Sequence, residues 1–269
     1  MVGEAVRHGR AWSYLVSRGG GLRNFGDELS PLVVQEVTGK GVRRSSLASA
    51  SLLGIGSLLS AAADVEYRGS IFGSGLRDGG VPAATLAQAR VVSLRGLLTR
   101  DSLRAPSDTP VGDPGLIVRQ MWPRSGSKRG GGLFVPHFAL PQSAYGRDLI
   151  SLASRRGMRI AFPTVDPKEM ARHISAADFV VTNSLHAHIF AHSYGVPTQL
   201  VEVSANAEPS FKYQDYLSIF GVRASPLPIR DVLQAPVTAS IERLAEETAT
   251  IAKGLPGAIE AIYLAGQRI

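Results

Sequence analysis

Short apolar runs, glycine-rich turns and amphipathic stretches alternate along the whole chain. Residues 12–17 form the first apolar run and predict a strand. A glycine-rich turn over 18–27 follows. Leu29, Leu32, Val33 and Val37 then fall at helical spacing, predicting a helix from Glu28 to Thr38. Pro31 is placed in the first turn of that helix, where its missing amide is tolerated. The rhythm recurs at 52–59, at 69–76 and at 89–95, the last leading into a predicted helix over 97–103. After a basic, glycine-rich stretch a second series begins. It predicts a strand at 132–137, a helix at 148–156, a strand at 158–162 and a helix at 166–177 with Asp166 as N-cap before Pro167. A strand at 178–182, a helix at 185–194 and a strand at 198–203 follow. The tail is predicted helical over 238–253 and 258–264.

Strands alternating with helices imply an α/β chain with parallel sheets. Two such series imply two Rossmann-like domains facing a cleft. The expected division is an N-terminal, acceptor-side domain over 1–121, a linker over 122–132, a C-terminal, donor-side domain over 133–237 and a helical tail over 238–269.

Composition narrows the classes. With 44% hydrophobic and 19% charged residues the chain can build a core and is not of the disordered type. No cysteine is present, which excludes thiolate chemistry and disulfides and fits a reducing compartment. No apolar run reaches the ~18 residues needed to span a bilayer. The first dozen residues, with Glu4, Arg7, His8 and Arg10, do not read as a secretory signal. A cytoplasmic location is therefore expected. The net charge of +7 is carried almost entirely by arginine and favours anionic partners. A nucleic-acid partner is not expected, because the basic cluster at 124–129 reads as a solvated linker.

Ligands of parallel α/β sheets bind beyond the carboxyl ends of the strands. The loops there contain Asn24-Phe25-Gly26-Asp27, Gly54-Ile55-Gly56-Ser57, Arg95-Gly96, Gly112-Asp113-Pro114, Pro136-His137 and Asn183-Ser184-Leu185-His186. None is a complete Walker or dinucleotide fingerprint. His188 and His192 share a helix face, but Ile189 stands where a zinc protease would need glutamate, so no metal site is expected.

Taken in order, these motifs resemble the polysaccharide pyruvyl transferase family. The most specific part is Ser184-Leu185-His186-Ala187 leading into Tyr194-Gly195-Val196-Pro197, with Lys212-Tyr213 and Asp215-Tyr216 after it. The resemblance runs from about Asn24 to Tyr216. It implies a GT-B-like pair of domains and transfer of a pyruvyl unit from phosphoenolpyruvate to a sugar of an exopolysaccharide or cell-wall precursor, as a cyclic ketal. The implied donor is a substrate, and no cofactor is expected. On this resemblance His186 is the expected acid/base or phosphate partner, with His137 second. Asp27 would orient or deprotonate the acceptor hydroxyl. Arg95 would bind the donor carboxylate and Lys212 its phosphate, with Asn24, Ser57 and Ser184 completing the substrate contacts. Some family members carry arginine two residues before the motif histidine, where Ser184 stands here. Arg77, Arg100 and Lys212 are the candidates for that second cation.

Two other readings stay open at this point: a GT-B glycosyltransferase using a nucleotide sugar, and a non-catalytic glycan- or phosphate-binding protein of the same fold. The acceptor could be lipid-linked. The amphipathic tail is expected to dock on the protein itself, with peripheral contact to an anionic leaflet at the inner membrane face as the second fate.

Overall fold

The computed structural model describes residues 11–12, 24–43, 45–80, 86–124, 130–203, 210–235 and 237–269. Most of the predicted first strand and its glycine-rich turn, and the middle of the predicted linker, lie outside these residues.

Two parallel sheets organise the chain. The first has the order β1-β2-β3-β4, from Ala11–Trp12, Leu52–Leu53, Ser70–Ser74 and Arg90–Leu94. The second has the order β6-β5-β7-β8-β9. Its strands are β5 (Gly132–Val135), β6 (Arg159–Ile160), β7 (Phe179–Thr182), β8 (Thr198–Glu202) and β9 (Leu227–Pro228). Parallel neighbours require crossovers, and helices supply most of them. The helices of the first half are α1 (Phe25–Thr38) and α2 (Leu59–Ala63), which precede β2 and β3, and α3 (Leu97–Ser102) and α4 (Val118–Met121), which follow β4. In the second they are α5 (Ala144–Arg155), α6 (Pro167–Ser175), α7 (Leu185–Ser193), α8 (Phe211–Ser218) and α9 (Ile229–Gln234), before the terminal helix α10 (Val237–Gly266). The expected architecture of two parallel α/β sheets is the observed one.

The helix starts follow local chemistry. Asn24 Oδ1 accepts from Gly26 N at 3.1 Å, so α1 begins at Phe25, earlier than the periodicity predicts. Pro31 therefore sits in the second turn, and the amide it lacks leaves the carbonyl of Asp27 without its helical donor. Asp166 Oδ1 caps α6 through Lys168 N at 2.8 Å, as expected of Asp before Pro. Ser143 caps α5 through Gly146 N at 3.0 Å, which moves that helix start ahead of the predicted Asp148.

The packing is layered. Leu53, Leu59, Ile71 and Leu94 fill one side of the first sheet. Phe134, Leu149, Phe179 and Val181 fill one side of the second. A larger central core is common to both halves: Phe25, Leu29 and Val33 of α1 meet Leu116, Ile117, Ile189, Phe190, Tyr216, Ile251 and Ile262. Phe25 alone, fully buried, contributes about 1.5–3 kcal/mol. Its ring lies edge-on to Phe190 at 5.2 Å, and its amide donates to the carbonyl of Pro163, so α1 is seated on the second sheet's side of the molecule.

The tail is one helix, continuous through Pro256, where two segments were expected. It packs on α1, α7, β4 and β8, and Arg90 of the first sheet donates to the carbonyl of Arg268 at 2.7 Å. Of the two fates considered for it, docking on the protein is the one observed. Among the described residues no helix is long and apolar enough to cross a membrane.

Candidate active site

The order of the second sheet places a site by topology alone. The chain leaves β5 toward β6 on one side and leaves β7 toward β8 on the other. The loops after β5 and β7 thus diverge, and a crevice opens at their carboxyl ends. The β5 loop carries His137 and the β7 loop carries Asn183, Ser184 and His186. Asn183 ties the two together, its Oδ1 accepting from His137 N at 2.7 Å. Its carbonyl accepts from Tyr213 Oη at 2.9 Å, which brings in α8.

Opposite this crevice lie the N-terminus of α1 and the loops after β2 and β3. Between them is a hollow of about 230 Å³ lined by Asn24, Asp27, Ser57, Arg77, His137, Ser184, His186 and Lys212, with Gly56, Leu58, Phe138, Ala139 and Leu185. Seven of the eight residues singled out from the sequence line this one hollow: Asn24, Asp27, Ser57, His137, Ser184, His186 and Lys212. Arg77, one of three candidates for the second cation, is also there; Arg100 is not. The sequence signal for Arg77 was only its place just after the apolar run of β3.

Arg95 is the exception, and its expected role is corrected. Its side chain is fully buried and lies behind the wall of the hollow. Nε donates to Asp215 Oδ2 at 2.9 Å, one terminal nitrogen donates to Ser57 Oγ at 2.7 Å, and the other donates to the carbonyl of Leu76. The guanidinium is thus committed on all three nitrogens to protein acceptors and shows no surface to the hollow. Arg95 acts on the hollow through Ser57, whose hydroxyl it fixes.

Asp215 completes this arrangement. It also accepts from Thr99 N and Thr99 Oγ1, each at 2.7 Å, and Ser218 Oγ accepts from Leu97 N at 3.0 Å. The start of α3 in the first half is thereby fastened to α8 in the second. A Cβ on Gly96 would lie 1.8 Å from the carbonyl oxygen of Asp215, so glycine is what lets the two backbones meet. Lys212, one turn before Asp215 on α8, is held at the hollow's edge over the ring of Tyr213, 5.0 Å from its centroid.

The Gly112-Asp113-Pro114 motif is structural. Asp113 caps the turn over Pro114–Ile117 through Gly115 N at 2.9 Å, and burial raises its pKa to about 6.

The electrostatics of the hollow centre on His186. Burial lowers its pKa to about 3, helped by the positive charges of Lys212, Arg95 and His137. Its Nε2 is closed off from solvent with no hydrogen-bond partner among the described residues. Its other edge presses on α1: a Cβ on Gly26 would come within 1.9 Å of His186 Nδ1. The ring is thus neutral near neutral pH and wedged between the two halves. Ser184, the N-cap of α7, makes no side-chain cap bond, and its backbone amide donates to Thr182 Oγ1 at 2.9 Å. Ser184, Leu185 and His186, where α7 begins, line the hollow, and a helix start is a place suited to an anion.

Buried neutral histidines make stability depend on pH. His188 and His192, on the far face of α7, also have pKa values lowered by burial, that of His192 to about 3. An unfolded histidine titrates near ~6.5, so between ~6.5 and ~3 the unfolded chain binds more protons. Stability is then fully present above ~6.5 and is lost as pH falls, at up to ~1.4 kcal/mol per pH unit for each such ring. The melting temperature is expected to drop steadily from pH 6.5 to 4. A flat profile over that range would contradict the neutral assignment.

Comparison with known proteins points to the same family as the motifs. The profile of the family described as polysaccharide pyruvyl transferase matches residues 83–204, a stretch that includes His137, Ser184 and His186. Across this central region the chain is similar to that family. Among relatives, the succinoglycan biosynthesis protein ExoV of Rhizobium meliloti (strain 1021) is 26% identical over 214 residues, covering 76% of this chain and 63% of the relative. An uncharacterized protein of Acanthamoeba polyphaga mimivirus is 27% identical over 124 residues, covering 43% of this chain and 42% of the relative. The chain therefore spans less than two thirds of either relative's length. Among solved structures, that of the glycosyltransferase SnogD from Streptomyces nogalater aligns with 80% of this chain and 73% of its own, at 13% identity and a TM-score of 0.34.

Proposed function

We propose that this protein transfers a pyruvyl group from phosphoenolpyruvate to a pair of hydroxyls on a sugar of an exopolysaccharide or cell-wall glycan precursor. The observation that carries the reading is the hollow itself. A carboxylate, two imidazoles and two cationic side chains, from motifs spread over 24–212, converge on one anion-sized space. The family match and the name of the succinoglycan relative support the substrate class.

The residues divide the chemistry as follows. Lys212 and Arg77 neutralise the phosphate and carboxylate of the donor, with the first turn of α7 and the Ser184 hydroxyl as further donors. C3 of the enol gains a proton and C2 becomes electrophilic. A sugar hydroxyl attacks C2 as it gives up its proton, the C2–O bond to phosphate breaks, and the second hydroxyl closes the ketal. One hydroxyl proton thus replaces the one delivered to C3, and the other leaves with phosphate. His186 is suited to pass these protons because it enters the reaction neutral and the bound donor's negative charge raises its pKa. Asp27, across the hollow, orients the acceptor hydroxyl, and His137 is the second proton carrier. The donor brings its own leaving group, so the reading needs no cofactor. It places the reaction on the cytoplasmic side, where this donor is made, on a free or lipid-linked acceptor.

The test is phosphate release from phosphoenolpyruvate in the presence of a panel of glycosides. Donor-dependent phosphate with a matching mass gain on one glycoside is expected. Thermal stabilisation by a nucleotide sugar with none by phosphoenolpyruvate would overturn the reading in favour of glycosyl transfer. Donor at 100 times its Kd should stabilise by ~2.7 kcal/mol. Lys212→Ala is expected to raise the KM for phosphoenolpyruvate at least ~10-fold with a smaller change in kcat, the loss of one charge-assisted contact of ~1.5–3 kcal/mol. Steady-state kinetics in donor concentration checks it.

A further inference from the structure

We propose that His188, His192 and Glu247 form a binding site for one divalent cation of the zinc type, on the face of α7 turned away from the hollow. The inference stands independently of pyruvyl transfer.

His188 and His192 are one turn apart on α7 and project to the same side, while His186, two residues before His188, projects to the opposite side. Their rings lie 4.2 Å apart, and both residues are almost completely buried, at 1% and 2% exposure. Glu247 reaches them from α10. One nitrogen of each ring and a carboxylate oxygen lie within 4.8 Å of one another, with His192 Nε2 3.9 Å from Glu247 Oε1. Ligands ~2.1 Å from a tetrahedral zinc ion stand roughly 3.4 Å apart, so shifts of about an ångström, with the partly exposed glutamate the freest to move, close the set.

The surroundings are those of a metal-ready pair. His188 Nδ1 meets Thr198 Oγ1 at 3.3 Å, and His192 Nδ1 meets Tyr216 Oη at 2.9 Å. Fixing one ring nitrogen to an outer partner leaves Nε2 as the ligating atom, the arrangement found in protein metal sites. His188 Nε2 has no hydrogen-bond partner among the described residues although it is buried, which is costly unless something binds it. A space of about 20 Å³, room for about one ion or water, adjoins His188 and Glu247. Burial keeps both rings in the neutral form that a metal requires.

Two imidazoles and one carboxylate select a borderline ion such as Zn²⁺ or Co²⁺ over Ca²⁺ or Mg²⁺, which favour all-oxygen sets. Arg243 lines the same space, and its guanidinium is engaged by Gln199 Oε1. Burial raises the pKa of Glu247 and the charge of Arg243 counters this in part; that charge also opposes a cation, so the glutamate is the ligand on which affinity depends most. The donor that the local histidine spacing lacks is thus supplied by a helix 55 positions downstream. A bound ion would clamp α10 to α7 and, through Tyr216, to α8.

The test uses the full chain, stripped with EDTA and titrated with Zn²⁺ and Co²⁺. One equivalent is expected to bind, with a rise in melting temperature and visible Co²⁺ bands of a low-coordinate site. Glu247→Gln, which keeps size at a half-exposed position, should weaken Zn²⁺ binding at least 10-fold while the apo protein melts as before. His192→Asn should do the same if it folds. His173→Asn, at the exposed pair with Glu169, should change nothing. Absence of binding at micromolar Zn²⁺, or binding of equal strength in wild type and Glu247→Gln, would overturn the proposal.

Discussion

His186→Ala is expected to lower turnover by ~10²-fold or more, with the KM for donor changed much less. The reason is positional as much as chemical. His186 is the neutral ring at the wall of the hollow, with Nε2 shielded from solvent and Nδ1 against α1. Asparagine at this position keeps polarity without the ability to exchange protons, so it should be nearly as slow. Gly26→Ala provides an independent arm. Alanine within a helix is ordinarily favoured over glycine by ~0.5–1 kcal/mol. Here its methyl must displace the imidazole, so activity should fall while α1 is not weakened. Titration adds a signature: with the empty site's pKa near 3, kcat/KM should show no acid limb from His186 above pH ~5, whereas a donor-bound ring should titrate higher. Phosphate release as a function of pH, alongside the imidazole resonances with and without donor, checks each part. Unchanged turnover in His186→Ala would remove this residue from the mechanism.

Asp215→Ala is expected to give the largest loss of stability, about 3–5 kcal/mol, because it leaves the guanidinium of Arg95 buried without its carboxylate. For a chain of this length that is a fall in melting temperature of order 10 °C. Thr99 loses its acceptor for both amide and hydroxyl at the same time. Replacing both Arg95 and Asp215 by leucine should cost less than the sum of the single changes, since neither charge is then stranded. Denaturant unfolding of the two singles and the double measures this coupling. Additive losses would mean that the ion pair does not act as a unit. The same variants test the corrected role of Arg95: its removal should disturb Ser57 and α8 before it alters donor recognition.

The contrast between these two sites marks what could be read from residues alone. Strand rhythm predicts two parallel sheets, and the rule that ligands gather at carboxyl strand ends selects His137, Ser184 and His186 without any coordinates. Ser57 and Asp27 follow from the same rule in the first half. Arg95 satisfied that rule equally well and yet lies behind the hollow. What decides its place is a carboxylate 120 residues later, and no local pattern announces which acid will meet which base. The glycines depend on distant partners in a similar way. Gly26 and Gly96, placed by the sequence in strand-end loops, make room for His186 and for the backbone of Asp215. The tail's two predicted helices became one because Pro256 removes a single amide without ending the ladder around it.

The terminal helix has a mechanical consequence. Thirty residues of α-helix make a rod of about 45 Å, and α10 lies along elements of both sheets. A rod laid across two bodies acts as a splint. Swinging them apart would have to bend it, most easily at Pro256 where one rung is missing, and would have to pull the buried Arg95–Asp215 pair into water. Exchange of any ligand in the hollow therefore calls for traffic through a standing doorway, with side chains such as Arg77 turning aside, in place of a wide jaw movement.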